Sequence, residues 1–365
     1  MKLQEILNKF PNFFLASEND NQEILEFFKT VPMKGEGLEL FYDRSPNFFS
    51  FCKYQSDKVF IFLAKDEGKI QGVATMIIRP GYIQGVQKNV AYLGDLRVAP
   101  NRKITLQWRK LFIEVLGQAK NIEEFLGCDD FLTAVMEGNI LAKNNLTKLQ
   151  YKLGYRHVAK YKMINVWLRC WKIKSQFKPF SVHQNSINEF IHFMQQEHSK
   201  YDFGFYMEFE FFYRMQQWHN LQLDNFLMVK RGEEIIAALV LWEPSQAKKI
   251  IIKSIPWYLR WTQLIPSFPK VGKELKLLYL NTLTFKSGLS GEEKNDVLNS
   301  ILNYTFELDS MKKYHAISFA EFENENFNNA LKGFLVSKTK LELYTIDFED
   351  SKKYQLPVGF EMGLV

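Results

Sequence analysis

The stretch YLGDLRVAPNRKITLQW, Tyr92 to Trp108, decides how the chain is read. An apolar strand runs into Pro100, and a helix begins beyond it with Arg102 and Lys103 at its head and no acid in its first two turns. A helix N-terminus already carries partial positive charge from unpaired N–H groups and aligned peptide dipoles, so Asp or Glu is the stabilising choice there. Cations in that place are unfavourable unless an anion comes to sit on the exposed amides.

Outward from this stretch, two halves of the chain share one order of elements. Upstream, FFLASENDNQEILEFFK reads as strand, polar turn and amphipathic helix, with Ile24, Leu25 and Phe28 on one side. KVFIFLAKDEGKIQGVATMIIRP gives two strands joined at Asp66-Glu67-Gly68, an acidic-Gly hairpin turn. The helix after Pro100 carries Ile104, Trp108, Leu111, Phe112 and Val115 at helical spacing, to about Gln118. A strand FLTAVM, a helix ILAKNNLTKLQYKLGY ended by Gly154, and closing strands to about Leu168 follow.

The second half repeats this. FSVHQNSINEFIHFM is strand, turn and helix; NFLMVKRGEEIIAALVLWEP is a hairpin turning at Arg231-Gly232-Glu233. ELKLLYLNTLTF is a strand, EEKNDVLNSILNYTFELD a helix and AISFAEF a strand. ENFNNALKGF reads as a short helix ended by Gly333, and TKLELYTIDF closes the sheet. The repeat, at a period of roughly 170–180 residues, is the mark of a duplicated domain. CWKIKSQFKP is the seam, dividing 1–172 from 173–365.

Composition bounds the function. The 365 residues suffice for two ordinary domains, and 46% apolar with 24% charged content is that of a globular protein. A net charge of +6, spread along the chain, argues against nucleic acid as a partner. Cys52, Cys128 and Cys170 are an odd number without metal spacing, which suits free thiols in a reducing compartment. No metal site is expected, since the six histidines show no ligand spacing. MKLQEILNKF lacks the apolar region of a signal peptide, and IIAALVLW, the longest apolar run, is far too short to span a bilayer. The expectation is a cytoplasmic protein without stable membrane association and of unassigned oligomeric state.

Three motifs carry a family resemblance. Leu96-Arg97-Val98-Ala99-Pro100 ends a strand, FLTAVMEGN is followed by Ile140-Leu141-Ala142, and KLGY closes the later helix. Over about residues 11–168 the chain resembles the GCN5-related N-acetyltransferase (GNAT) superfamily. Beyond that the likeness rests on element order and on LKGF. The resemblance implies two α/β domains, each a mixed, mostly antiparallel central sheet flanked by helices. It implies binding of acetyl-CoA or another acyl-CoA by the first domain, and acyl transfer to a small-molecule or peptide amine.

By the same resemblance, Arg102, Lys103 and the amides of Ile104, Thr105, Leu106 and Gln107 would hold the pyrophosphate. Backbone groups along Leu96, Arg97 and Val98 would pair with the pantetheine arm as an added strand does, and Asn139 would order the far end of the cofactor. The sequence departs from the family where Thr105 and Gln107 stand at the usual glycine positions. The general-acid tyrosine also has no clean equivalent, Tyr151 being its neighbour.

Attack by an amine needs a proton acceptor, and Asp95 and Glu137 are the candidates. The bland reading of Asp95 is an ion pair with Arg97 or another neighbour. In the second half, Ser290 and Glu293 form a capping box and Glu292 adds charge, so that helix satisfies its own amides and repels phosphate. This half reads as non-binding for CoA, shaping the acceptor site. The aromatic run YDFGFYMEFEFFYRMQQWHN and the insertion bearing Trp257, Tyr258 and Trp261 either pack the seam or line an acceptor pocket. Two other classes stay open: an acyl-CoA-binding protein that keeps the fold without turnover, and an aminoacyl or peptidyl transferase using charged tRNA.

Overall fold

The computed structural model describes every residue except 32, 35–38, 141, 142, 144–153, 265–267, 349, 350 and 365. Its first half opens with helix α1 (Leu3–Leu7), strand β1 (Phe13–Leu15) and helix α2 (Asn21–Thr30). Short strands β2 (Met33–Lys34) and β3 (Glu39–Asp43) and helix α3 (Ser50–Gln55) precede the hairpin β4 (Lys58–Asp66) and β5 (Lys69–Ile83). Glu67 and Gly68 both take positive φ in the β4–β5 turn, as a two-residue hairpin loop requires. Gln84 and Gly85 do the same before β6 (Val86–Val98), a turn that the sequence reading left unassigned. Helix α4 (Arg102–Gly117), β7 (Asp130–Met136) and β8 (Tyr155–Arg169) complete this half. The helix expected over ILAKNNLTKLQYKLGY falls largely outside the described residues.

The second half repeats the order: β9 (Phe180–Ser181), helix α5 (Ile187–His198), the two-residue strand β10 (Gly204–Phe205) and helix α6 (Phe209–Met215). The hairpin β11 (Phe226–Arg231) and β12 (Glu234–Trp242) follows, then β13 (Lys249–Ser254), β14 (Leu277–Phe285), helix α7 (Gly291–Glu307), β15 (Ala316–Phe322) and β16 (Phe334–Ile346). The segment 325–333, expected to be a short helix, is irregular and then a series of turns. Side chains of α7 and β15 claim the backbone groups that a helix would pair internally. Asn295 donates to Asn326 O and accepts from Ala330 N, Asn299 donates to Ala330 O, and Glu321 accepts from Phe327 N. Such local side-chain bonds compete directly with helix formation.

The main sheet reads β1-β4-β5-β6-β7-β16-β8-β15-β14-β12-β11-β9, with β10 attached to β5. The order is the same from either end, so a pseudo-twofold axis passes between β16 and β8. Each closing strand lies in the opposite half: β16 pairs with β7, and β8 pairs with β15. The two closing strands pair with each other from Phe334↔Arg169 to Ile346↔Tyr155. The two halves of the chain thus repeat one order of elements and join in one sheet through exchanged closing strands. β13, β3 and β2 form a separate small sheet that ties the halves again.

On one face of the first half, α4 buries Ile104, Trp108, Leu111 and Val115 against β4, β5 and β6. Each such side chain contributes about 1.5–3 kcal/mol. The opposite face carries α2, α3 and the chain's last segment. The aromatic run of the second half is mostly packing: Phe205, Met207, Phe212, Met215 and Trp218 are buried with Phe51 and Trp242. Trp257 is 79% exposed. Cys52 and Cys128 are buried free thiols and Cys170 is an exposed one.

Candidate functional site

Among the described residues two neighbouring strand pairs in the main sheet run parallel, and they occupy equivalent places. β6 pairs with β7 only at Val90↔Asp130, Ala91↔Phe131 and Tyr92↔Leu132. β14 pairs with β15 only at Leu277↔Ala316, Leu278↔Ile317 and Tyr279↔Ser318. Beyond these three residues each pair parts. At the opening of the first, the Thr133 hydroxyl donates to Leu93 O at 2.8 Å, replacing a ladder bond.

Both partings coincide with a bulge. Two residues, Asp95 and Leu96, face one on β5, and Thr282 and Leu283 face one on β12. Asp95 has φ 53° and Thr282 φ 51°, left-handed values that a β-branched residue rarely adopts. The equivalent stretches read Tyr92-Leu-Gly-Asp-Leu96 and Tyr279-Leu-Asn-Thr-Leu283, a Tyr-Leu-x-x-Leu repeat that marks both bulges in the sequence itself.

The clefts differ at the helix that follows. In the first, α4 has no acid in its first turn. Asn101 caps it by accepting from Ile104 N at 3.2 Å. The Thr105 hydroxyl donates back to Asn101 O at 2.8 Å, so that hydrogen is turned away from any ligand. Lys103, expected to be bare, is paired with Asp66 of the β4–β5 turn at 3.0 Å, and this holds the Asp66 carboxyl below its usual range. Arg102 is exposed and makes no hydrogen bond or ion pair among the described residues. Gln107 keeps a buried side-chain oxygen without a partner. The cationic end is therefore narrower than expected, with Arg102 and the first two amides at its centre.

In the second, the expected capping box forms: Ser290 and Glu293 bond each other's backbone N–H, and Glu293 also pairs with Arg231 at 2.7 Å.

The other expected residues separate. Leu96 is 49% exposed on the open edge of β6, while Val98 is paired to Gly72 on its β5 side. Leu106 is exposed on α4. The Arg97 side chain is buried away from the helix end, over the Phe28 ring at 4.3 Å and donating to Val31 O, so only its backbone lies on the cleft. Glu137 directly follows β7, half-buried and 3.6 Å from Lys340. Asn139 follows it and bonds back through its amide to Met136 O. Tyr151 lies outside the described residues.

Asp95 is in an ion pair, with Arg44 instead of Arg97. Arg44 Nη2 reaches the Asp95 carboxylate at 2.9 Å, and Thr75 Oγ1 donates to Asp95 Oδ2 at 3.3 Å.

Sequence reasoning missed the carboxy-terminal segment. Residues 358–364 run through the interior on the face opposite α4. Phe360 packs on Tyr92 with ring centroids 6.4 Å apart, and Met362 packs in the cluster that holds Tyr279. Between them the Glu361 carboxylate accepts from Thr282 N at 2.7 Å, the amide of the second bulge. Burial pushes the Glu361 carboxyl up to about 7, against the lowering effects of that amide and of Arg79. Its oxygen Oε1 takes no hydrogen bond among the described residues.

Glu361 lines a cavity of about 80 Å³ together with His198, Thr284, Lys294 and Glu325. His198 there is neutral. Its Nδ1 accepts from Phe205 N, its Nε2 meets Thr284 Oγ1 at 2.8 Å, and burial depresses its pKa to about 4. The Thr284 hydroxyl donates in turn to Thr282 O, so both sides of the bulged residue are fixed.

This interior is short of partners. Arg44 Nε, both amide atoms of Gln55, Arg79 Nη1, Trp242 Nε1, both amide atoms of Asn281 and Thr282 Oγ1 are buried without a hydrogen bond. Native interiors pair nearly all such atoms, so each exception calls for a water, an ion or a ligand as its partner.

Parallel strands that part at a bulge beside a helix N-terminus, twice over in one sheet with exchanged closing strands, define a tandem GNAT-like fold. Among solved structures the chain is similar to Saccharomyces cerevisiae N-myristoyltransferase with bound myristoyl-CoA, at 11% identity and TM-score 0.58, over 95% of this chain and 86% of that one. It is also similar to a conserved protein of unknown function from Enterococcus faecalis V583, described as a probable N-acyltransferase. That likeness is at 7% identity and TM-score 0.50, over 92% and 72% of the two chains. No protein-family model and no curated protein sequence matches the chain. Among the described residues no helix is long and apolar enough to cross a membrane, and no cluster of His, Cys, Asp or Glu has the makings of a metal site.

Proposed function

We propose that the protein transfers an acyl group from acyl-CoA, with acetyl-CoA the simplest donor, to an amine by direct attack. One observation carries the reading: the cleft between β6 and β7, open after three paired residues, ends at a helix N-terminus free of acid and faced by Arg102. Its twin between β14 and β15 is acid-capped at the helix and entered by Glu361. A diphosphate fits the first electrostatically and is repelled by the second.

In this reading Arg102 and the amides of Arg102 and Lys103 hold the pyrophosphate, with Gln107 beside them. The open backbone edge of Leu96 and Val98 pairs with the pantetheine arm. Asn139, just beyond β7, would order the far end of the cofactor. The amine nitrogen bonds to the thioester carbonyl carbon, the carbon–sulfur bond breaks, and the ammonium proton must leave.

The proton acceptor we assign is Glu361. It is next to Phe360, which packs on Tyr92 of β6, and has a pKa matched to neutral pH. Asp95 is tied by Arg44 and Thr75, which suits it to shaping the bulge. Glu137 sits with Lys340 at the rim.

Incubation with acetyl-CoA and a panel of primary amines, with released thiol as the readout, tests the proposal. Turnover with at least one amine is expected. Tight acyl-CoA binding with no thiol release across the panel would move the protein to the second class, a binding protein that keeps the fold.

A further inference from the structure

The interior site has a strongly cationic end. Two cations lie over the Phe51 ring of α3, with the Arg44 guanidinium 4.6 Å and the Lys248 ammonium 5.0 Å from its centroid. Lys248 also lies over Tyr42 at 4.8 Å, and it is 9% exposed. Its ammonium makes no hydrogen bond or ion pair among the described residues. Arg97 is a third buried cation in the same surroundings. The anion they share is Asp95, whose carboxylate is already committed to Arg44 and Thr75.

The orphaned groups nearby are mostly donors. They are Arg44 Nε–H, the Gln55 amide and Trp242 Nε1–H, the Trp242 ring stacking on Phe51 at 6.3 Å. A buried cation without a counter-ion costs several kcal/mol. A carboxylate is the group that accepts from ammonium, guanidinium and amide donors together.

Resting on the acyl-transfer reading, we propose that the acceptor is an amino acid or similar small amine acid, whose carboxylate is held by Lys248 Nζ and Arg44 Nε–H at the α3 end of the site. Beyond Arg44 the polar interior continues past Tyr92 to Arg79 and Glu361, the direction in which the ammonium of such an acid would face.

Binding has a proton signature. Burial, and Arg44 after it, depress the Lys248 pKa to about 7. A bound carboxylate restores the charged form, so binding takes up a proton and weakens as pH rises from 7 towards 9. The groups facing Lys248 do not titrate in that window in a way that imitates this. Cys52 is pushed up to about 11, Tyr42 is raised above its ordinary value, and Arg44 and Asp95 are paired with each other.

The test uses the full chain without CoA. The twenty α-amino acids and their primary amides are titrated in, with tryptophan fluorescence and calorimetry as readouts. At least one acid should bind about tenfold or more tightly than its amide, the equivalent of one charge-assisted hydrogen bond. That preference should vanish in Lys248→Gln and decline from pH 7 to 9. If no acid in the panel binds more tightly than its amide, the inference is overturned, whatever Lys248→Gln does to folding. Failure of the donor reading is distinguishable: an acid preference dependent on Lys248 in a protein that binds no acyl-CoA keeps this inference and removes the other. Acylation of amines without acid preference does the reverse.

Discussion

Replacing Glu361 with Gln should move stability and activity in opposite directions. The glutamine oxygen can still accept from Thr282 N, so the bulge keeps its partner and the last segment its path. The ionised carboxylate, however, is held in the interior at a cost. Its pKa is raised from 4.5 to about 7, so the folded state binds an extra proton between those values. The wild-type chain therefore loses stability as pH rises through that interval, and at ~1.4 kcal/mol per pKa unit the loss is on the order of 3 kcal/mol. Glu361→Gln removes it. Chemical denaturation should show the variant close to wild type at pH 5 and more stable by about 2–3 kcal/mol at pH 8.

Thiol release should fall by about 10²–10⁴-fold, the ordinary contribution of a positioned base. The acidic limb of kcat/KM with an apparent pKa near 7 should disappear. A variant that is less stable than wild type at pH 8 would show that Glu361 is a structural anchor. A fully active variant with an unchanged pH profile would remove it from the chemistry.

Three further outcomes follow from other parts of the molecule. Arg102→Glu should weaken CoA binding by at least about tenfold while stability stays within ~0.5 kcal/mol, because Arg102 is exposed and holds nothing else; calorimetry and thermal melting check both. His198 is buried neutral with a pKa of about 4 against 6.5, so the unfolded chain binds more protons below 6.5. Stability should drop from there toward pH 4 by on the order of 3 kcal/mol, and His198→Gln should flatten the drop in acid denaturation curves. Asn295→Ala removes a donor to Asn326 O and an acceptor for Ala330 N, leaving buried backbone groups unpaired. The loss should be about 1–3 kcal/mol, with faster amide exchange across 323–333.

The elements legible in the sequence were those whose signals are local. Hairpins announced themselves through Glu67-Gly68 and Gly232, α4 through its Ile104–Trp108–Leu111–Val115 stripe, and α7 through the Ser290–Glu293 box. The duplication was legible as repeated order. Hidden from it were the pairings decided by distant partners. Exchange of β8 and β16 leaves no mark in either strand, since each reads as an ordinary closing strand. Helix expectation failed at 325–333 because Asn295 and Asn299, some thirty residues earlier, take its backbone groups.

At the site, the anomaly at Arg102 and Lys103 was visible, but Asp66, which compensates Lys103, sits across a hairpin. Asp95 was found by position and Arg44 was not, because nothing in YDRSPNFFS points to a strand forty residues on. Glu361 lies in a segment without periodicity. The repeated Tyr-Leu-x-x-Leu at 92 and 279 was the available signal that two bulges, and hence two clefts, exist.

The claim beneath the whole account is that the cleft between β6 and β7 is the acyl-carrier site and its twin is not. Calorimetric titration of CoA into the intact chain, with hydrogen exchange followed in the bound state, tests this most directly. One molecule per chain is predicted, with protection confined to residues 93–107 and the end of β7. Protection around 280–295 instead, or two equivalents bound, would contradict it.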